Sequence, residues 1–175
     1  MSVYFLGDPH LGHKNIGNFR KFVTDSQHNT NLITADWKKY VNKRGIVYIF
    51  GDAAFTLEAL DHISWLPGRK ILIKGNHDDT VSTAAQLNVF EEIHGMLKYK
   101  GMWLTHAPMH PDELRGKANV HGHVHNYSIK RRNWYGKKVI DTRYLNMCPD
   151  VIYPKYGKCI LSLEEVKGIV FGGKR

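Results

Sequence analysis

Short apolar runs punctuate the first half of the chain at intervals filled by mixed polar and apolar residues. Val3–Leu6 is a short apolar strand that ends in Gly7-Asp8. Ile46–Phe50 is continuously apolar, the pattern of a strand buried on both faces, and it ends in Gly51-Asp52. Lys70–Ile73 predicts a third strand, ending in Gly75-Asn76-His77-Asp78. Between them, Thr34 predicts a capped helix through about Lys43, stopped by Gly45. Thr56 predicts a second helix with Leu57, Leu60 and Ile63 on one face and Pro67-Gly68 beyond its end. The second half reads as strands at Leu97–Tyr99 and Met102–Thr105 around Lys100-Gly101, then at Val120–His121, near Val139–Ile140 and at Lys158–Leu161. Ser162-Leu163-Glu164-Glu165 has the form of a capping box that opens a last helix. A βαβαβ half followed by a strand-rich half predicts an α/β fold of two packed sheets with helices outside.

The 175 residues fit one domain, 1–175, without repeat, low-complexity stretch or linker. At 42% hydrophobic residues the composition argues against disorder. No apolar run approaches the roughly 20 residues of a membrane span, and the N-terminus lacks the features of a signal peptide. The expectation is a soluble, cytoplasmic protein with no membrane partner, of unspecified oligomeric state. Cys148 and Cys159 are not in a CxxC arrangement and read as incidental buried thiols. The formal charge of +9 suits an anionic partner, whether a phosphorylated substrate or nucleic acid, and equally a merely basic surface.

The chemistry lies in the strand ends. Gly7-Asp8-Pro9-His10, Gly51-Asp52 and Gly75-Asn76-His77-Asp78 each place ligand-type side chains just after an apolar strand. In an open α/β sheet, ligands bind outside the carboxyl ends of the strands, so parallel neighbours would bring all three motifs to one spot. Thr105-His106-Ala107-Pro108 and Gly122-His123-Val124-His125 add three more histidines after strands of the second half. Carboxylate, amide and imidazole donors without cysteine suit Mn, Fe, Zn or Ni. A carboxylate can also bridge two ions, which lie about 3.5–4 Å apart in two-metal sites.

The ordered set Asp-x-His, Gly-Asp, Gly-Asn-His-Asp, His, Gly-His-x-His, over residues 7 to 125, resembles the calcineurin-like metallophosphoesterases. The longer run from Gly7 to Ile16 is similar to a small bacterial and phage branch of that family. The resemblance implies a four-layer α/β/β/α sandwich of two packed mixed sheets. It implies two divalent ions, with Mn the first choice. Asp8, His10 and His125 would hold one ion, and Asn76, His106 and His123 the other. Asp52 would bridge them, with a hydroxide between the ions as nucleophile. His77 would be the catalytic residue, protonating the leaving oxygen or stabilising the phosphoryl oxygens. In the protein Ser/Thr phosphatase branch an Asp three positions after the bridging one partners this histidine; here that position is Phe55, unless Asp78 or Asp79 substitutes.

His13, Asn15, Arg131 and Arg132 are candidate substrate contacts, while His110 and His121 read as surface and packing histidines. Lys130–Lys138 is either a solvated hairpin loop or, with Trp134 and Tyr135 among its basic residues, a grip on single-stranded nucleic acid. The function this supports is hydrolysis of a phosphate ester, a diester before a monoester, with nucleic acid a candidate substrate. The alternatives are a phosphomonoesterase, a catalytically silent metal-binding scaffold and a nucleic-acid-binding module.

Overall fold

The structure is a computed structural model that describes residues 2–172; the outermost residues of the expected domain lie outside that range. β1 (Val3–Gly7), α1 (Ile16–Phe19) and α2 (Ser26–Tyr40) are followed by β2 (Ile46–Phe50), α3 (Leu57–Ser64) and β3 (Arg69–Ile73). Then come α4 (Thr83–Leu87), β4 (Glu92–His94), β5 (Met96–Tyr99), β6 (Met102–Thr105) and β7 (Ala118–His121). The chain closes with β8 (Lys130–Arg132), β9 (Lys138–Ile140), β10 (Tyr144–Asn146), α5 (Pro149–Tyr156), β11 (Leu161–Ser162) and α6 (Leu163–Phe171).

Two mixed sheets result. The first has the order β11-β1-β2-β3-β4, parallel except for β11. The second has the order β10-β7-β6-β5, parallel except for β5, and β8 and β9 form a separate hairpin. Strand alternation sorts the core. Leu6, Val47, Ile49 and Leu72 point to one face of the first sheet and pack with Ile33 and Trp37 of α2 and Leu60 and Ile63 of α3. Phe5, Tyr48, Phe50, Ile71 and Ile73 point to the other face and meet Met102, Leu104 and Val120 of the second sheet. Burial on both faces is why β2 is apolar at every position.

Several elements differ from the sequence expectation. Helix α2 starts at Ser26, not Thr34: Asp25 is its N-cap, accepting from the His28 N–H at 2.8 Å. The polar stretch Ser26–Asn29 hides the helical period, and Thr34 is an interior residue whose hydroxyl meets His62 at 2.7 Å. Leu57 is 61% exposed, so α3 turns only Leu60 and Ile63 inward. The strand expected at Lys158–Leu161 is only Leu161–Ser162, because the Cys159 N–H bonds Asp36 rather than a neighbouring strand. The Thr56 cap, the turn at Lys100-Gly101 and the Ser162/Glu165 capping box all form. Among the described residues, no helix is long and apolar enough to cross a membrane.

The α3 assignment is open to a direct test. Leu60→Ala should cost about 2–5 kcal/mol of unfolding free energy through cavity formation. Leu57→Ala should stay within about 0.5 kcal/mol, as for a surface substitution. Urea denaturation followed by circular dichroism would measure both, and equal losses would show that Leu57 is part of the core.

Candidate metal centre

β1, β2 and β3 run parallel side by side, so the residues that leave their carboxyl ends are neighbours. β6 and β7 bring His106 and His123 to the same place from the second sheet. The backbone bends sharply there. Among the described residues, seven non-glycine residues have positive φ, and five of them are Asp8, His10, Asp52, His123 and His125. Such conformations cost of order 1–3 kcal/mol each and persist where the surroundings enforce them.

Glycines let the segments close up. A Cβ at Gly122 would overlap the Asp8 carboxylate and lie 2.8 Å from the Phe50 carbonyl; one at Gly75 would overlap the Asp52 carboxylate. Asp78 ties the loops together, accepting from the N–H groups of Asp52 (3.0 Å), Ala53 (2.8 Å) and Gly75 (2.7 Å).

The donor atoms fall into two groups. In one, His10 Nε2 lies 3.6 Å from Asp8 Oδ1 and 3.5 Å from Asp52 Oδ2. Asp8 Oδ2 accepts from the His123 N–H at 2.7 Å and the Cys148 thiol at 3.2 Å, leaving Oδ1 without a hydrogen bond. His10 Nε2 is likewise buried without a partner. In the other group, His106 Nδ1 faces the Phe50 carbonyl at 2.9 Å and so carries the ring proton in the neutral form. Its bare Nε2 then faces Asn76 Oδ1 at 2.8 Å and His123 Nδ1 at 3.0 Å. Asp52 stands between the groups, Oδ2 toward His10 and Oδ1 3.8 Å from His106 Nε2.

Lone pairs this close, in a largely buried place, need a cation or a proton between them. Ligands at about 2.1 Å from one ion would lie roughly 3 Å apart at right angles, which is the spacing of the second group. Asp8, Asp52 and His106 alone can converge on one ion, and His10, Asn76 and His123 extend the set around them. The residues therefore fit bound metal. His125 is set apart: its ring lies 5.2 Å from that of His10, and its buried Nδ1 is 3.5 Å from Asp150, beyond a good hydrogen bond.

The ionisation of the site follows its crowding. Burial alone would lower the His10 pKa, but Asp52 and Asp8 beside it raise it. Burial would raise that of Asp52, yet the His10 ring, the His77 N–H and the His106 ring bring it down to about 2. Burial followed by the neighbouring His106 lowers His123. Burial, then the charge of Asp8, holds the Cys148 thiol protonated, so it serves Asp8 as a donor. His121 is buried with Nδ1 2.8 Å from the Gly122 carbonyl, and burial pushes its pKa down to about 4; it packs as a neutral ring.

Four further side chains support the cluster, three of them without an obvious signal in the sequence. Fully buried Arg20 donates to the Asp8 carbonyl (2.9 Å), the Pro9 carbonyl (3.3 Å), Asn29 (2.6 Å) and Asp150 (3.1 Å). Asn29 donates to the Pro9 carbonyl at 2.9 Å, and Asn146 to the His125 carbonyl at 2.7 Å. Asp150 alone could have been suspected, since Cys148-Pro149-Asp150 follows a strand as the other motifs do.

His77 lies at the exposed rim, its N–H donating to Asp52 Oδ1 at 2.9 Å and its ring 5.4 Å from that of Phe55. Neither suggested carboxylate orients it: Asp78 is taken by three backbone N–H groups and Asp79 pairs with Lys74 at 2.6 Å. His13 lies beside the cluster, its ring 5.6 Å from that of His10 and 4.7 Å from that of Phe55. Asn15 is exposed and precedes α1 without capping it. Arg131 and Arg132 sit on the exposed β8, and among the described residues no hydrogen bond or ion pair joins them to the cluster; Arg132 donates to the Gly136 carbonyl at 2.8 Å. His110 is engaged with Asp112 at the surface.

No protein-family model matches the chain. The gene 66 protein of Mycobacterium phage L5 is 28% identical over 177 residues, covering 79% of this chain and 84% of that protein. Its counterpart in Mycobacterium phage D29 is 31% identical over 166 residues, covering 74% and 81%. Among solved structures, the protein of unknown function AQ665 from Aquifex aeolicus superposes with a TM-score of 0.69 at 24% identity, over 96% of this chain and 98% of that one. That likeness concerns the fold alone.

The role of Asp78 separates it from its neighbour. Asp78→Asn should cost roughly 3 kcal/mol, because an amide cannot accept as well from three N–H groups at once. Asp79→Asn, on an exposed pair, should cost less than about 1 kcal/mol. Urea midpoints would show the difference, and equal midpoints would remove Asp78 from the support of the strand ends.

Proposed function

The chain belongs to the family of the mycobacteriophage gene 66 proteins, and for this member we propose the activity of a dinuclear metal-dependent phosphoesterase that prefers diesters to monoesters. The observation that carries this is the convergence of carboxylate, amide and imidazole donor atoms at five strand ends, with Asp8 Oδ1 and His10 Nε2 buried and without a hydrogen bond. Asp8, His10 and His125 would hold one ion and Asn76, His106 and His123 the other. Asp52 would bridge them, a role supported by its two oxygens facing the two groups. Divalent ions, Mn first among them, would neutralise phosphoryl oxygens and lower the pKa of water there. The facing sheets with α2 and α3 outside agree with a single domain of the four-layer α/β/β/α type.

The protein's own groups would do the rest. His77 at the rim is free to protonate the departing alkoxide, worth typically about 10²–10⁴-fold. The Phe55 ring lies 5.4 Å from that of His77, where a carboxylate could otherwise orient it. Monoester dianions are usually gripped by extra cations, and few are free here. Arg20 is fully buried and paired with Asp150, Lys74 pairs with Asp79 and Arg115 with Glu113. A diester carries a single charge and needs less of this help.

With Mn supplied, bis-nitrophenyl phosphate should be hydrolysed faster than nitrophenyl phosphate; a clear preference for the monoester would overturn the diester assignment. Asp52→Asn should lose both turnover and metal content, measured by elemental analysis of the purified protein. Two metals per chain at near-normal rate would refute the bridging role.

His77→Ala should keep its metals but lose roughly 10²-fold on a diester with a poor leaving group. On a nitrophenolate ester the loss should shrink, since that group departs without a proton. Equal losses on both would mean that His77 binds phosphate instead.

A further inference from the structure

The hairpin β8–β9 combines basic charge with exposed aromatic rings. From Asn126 to Ile140 it carries Lys130, Arg131, Arg132, Lys137 and Lys138 and no acidic residue. Its turn runs Asn133-Trp134-Tyr135-Gly136, with the Gly136 N–H donating to the Asn133 carbonyl at 2.9 Å and Gly136 at φ 72°. Turn tips ordinarily take small polar residues. Here Trp134 is 96% exposed and Tyr135 83%, so neither ring contributes to the core. Asn133 closes the turn by itself, its Oδ1 accepting from the N–H groups of Tyr135 and Lys137 at 3.0 Å each. Nothing in the fold asks for two large aromatic rings at this tip.

The register adds a second, independent sign. Arg132 pairs directly with Lys138, and like charges opposite one another in a hairpin destabilise it. Lys130 lies on the same face, and an open groove of about 460 Å³ borders Tyr127, Ile129 and these basic residues. A polyanion seated along that face would relieve the repulsion. The hairpin is also rooted at the metal centre. It leaves the chain just after His125, and Asn146 holds the carbonyls of both His125 (2.7 Å) and Tyr127 (3.1 Å).

We propose that this hairpin is the docking arm for a single-stranded nucleic acid, whose phosphates lie along the basic face and whose bases stack on Trp134 and Tyr135. The inference rests on the phosphodiesterase reading and names its substrate class. Single strands are favoured over duplex because stacking needs bases that are not already paired. The arrangement would deliver a strand toward His123 and His125, the two candidate ligands from which the arm emerges.

The test is equilibrium binding of a fluorescein-labelled single-stranded oligonucleotide to the full chain, by anisotropy, in EDTA so that no metal-dependent cutting competes. The intact protein should bind at low salt. Trp134→Ala/Tyr135→Ala should weaken binding at least tenfold, with an unchanged circular dichroism melt to show that the fold persists. Lys130→Ala/Lys138→Ala should reduce the slope of log affinity against log salt by up to about 1.4, at about 0.7 per phosphate contact on a single strand. The proposal is overturned by affinity within twofold of the intact protein in the aromatic variant, or by duplex bound as tightly as single strand. It is equally overturned by absence of oligonucleotide binding, including the case where anionic phospholipid vesicles are captured instead. Turnover of bis-nitrophenyl phosphate by the intact protein, assayed separately with Mn, reports on the metal centre alone. Failure of one reading therefore leaves the other measurable.

Discussion

At the junction of the two sheets, His106 Nε2 has Asn76 Oδ1 at 2.8 Å and His123 Nδ1 at 3.0 Å, and Asp8 Oδ1 and His10 Nε2 stand nearby, buried and with no hydrogen bond. Buried acceptors such as Asp8 Oδ1 and His10 Nε2 are not left in a protein interior without a cation or a proton to satisfy them. Much of the surrounding structure makes sense as the means of enforcing that contact. The parallel order β1-β2-β3 aligns three strand ends, positive φ at Asp8, His10 and Asp52 turns the chain inward, and Gly75 and Gly122 remove the side chains that would keep the segments apart.

The enforcement needs its own support, and that support is polar and buried. Arg20 draws the carbonyls of Asp8 and Pro9 to one guanidinium and joins them to Asp150, while Asp78 gathers three N–H groups from two loops. Each is satisfied on nearly every side, which is the condition under which buried charge is tolerated rather than expelled. Strain at the loops is thus balanced by hydrogen bonds a few residues away. Asp8 Oδ1 and His10 Nε2 are left as the atoms with unmet demand beside these satisfied groups, which is what a site able to hold a metal ion requires.

Much of this was legible in the sequence because the strands are short, apolar and punctuated by glycine. β2 matches its expected bounds, and the strand-end motifs identify six residues that the structure draws into contact: Asp8, His10, Asp52, Asn76, His106 and His123. His125 is nearby but faces Asp150. What was not legible has physical reasons. The start of α2 is set by a local Asp25 cap within a polar stretch that has no period to read. Arg20 and Asn29 act through backbone carbonyls, and a carbonyl has no residue identity in a sequence. β10 and Asp150 follow a hairpin whose length conceals that the chain returns to the same site.

The hairpin and the metal centre differ in what holds them, and the difference bears on how a reaction would be organised. The centre is over-determined: buried, strained and cross-linked by hydrogen bonds. The arm is a two-stranded ribbon, which is marginal by itself in water, anchored at its root by Asn146 and by the Asp141 N–H on the Ile129 carbonyl. Under the proposed activity a rigid centre would fix the reacting phosphate to within the tolerance that chemistry needs, whereas strand capture would tolerate, and gain from, an adaptable surface. Five cations on the arm act over about a Debye length of roughly 8 Å at physiological salt, so they would gather a polyanion without dictating its register. Register would then be decided by the donor atoms at the strand ends, and sequence preference, if the arm contributes any, would come from how well a base stacks on Trp134 rather than from hydrogen bonds to its edges.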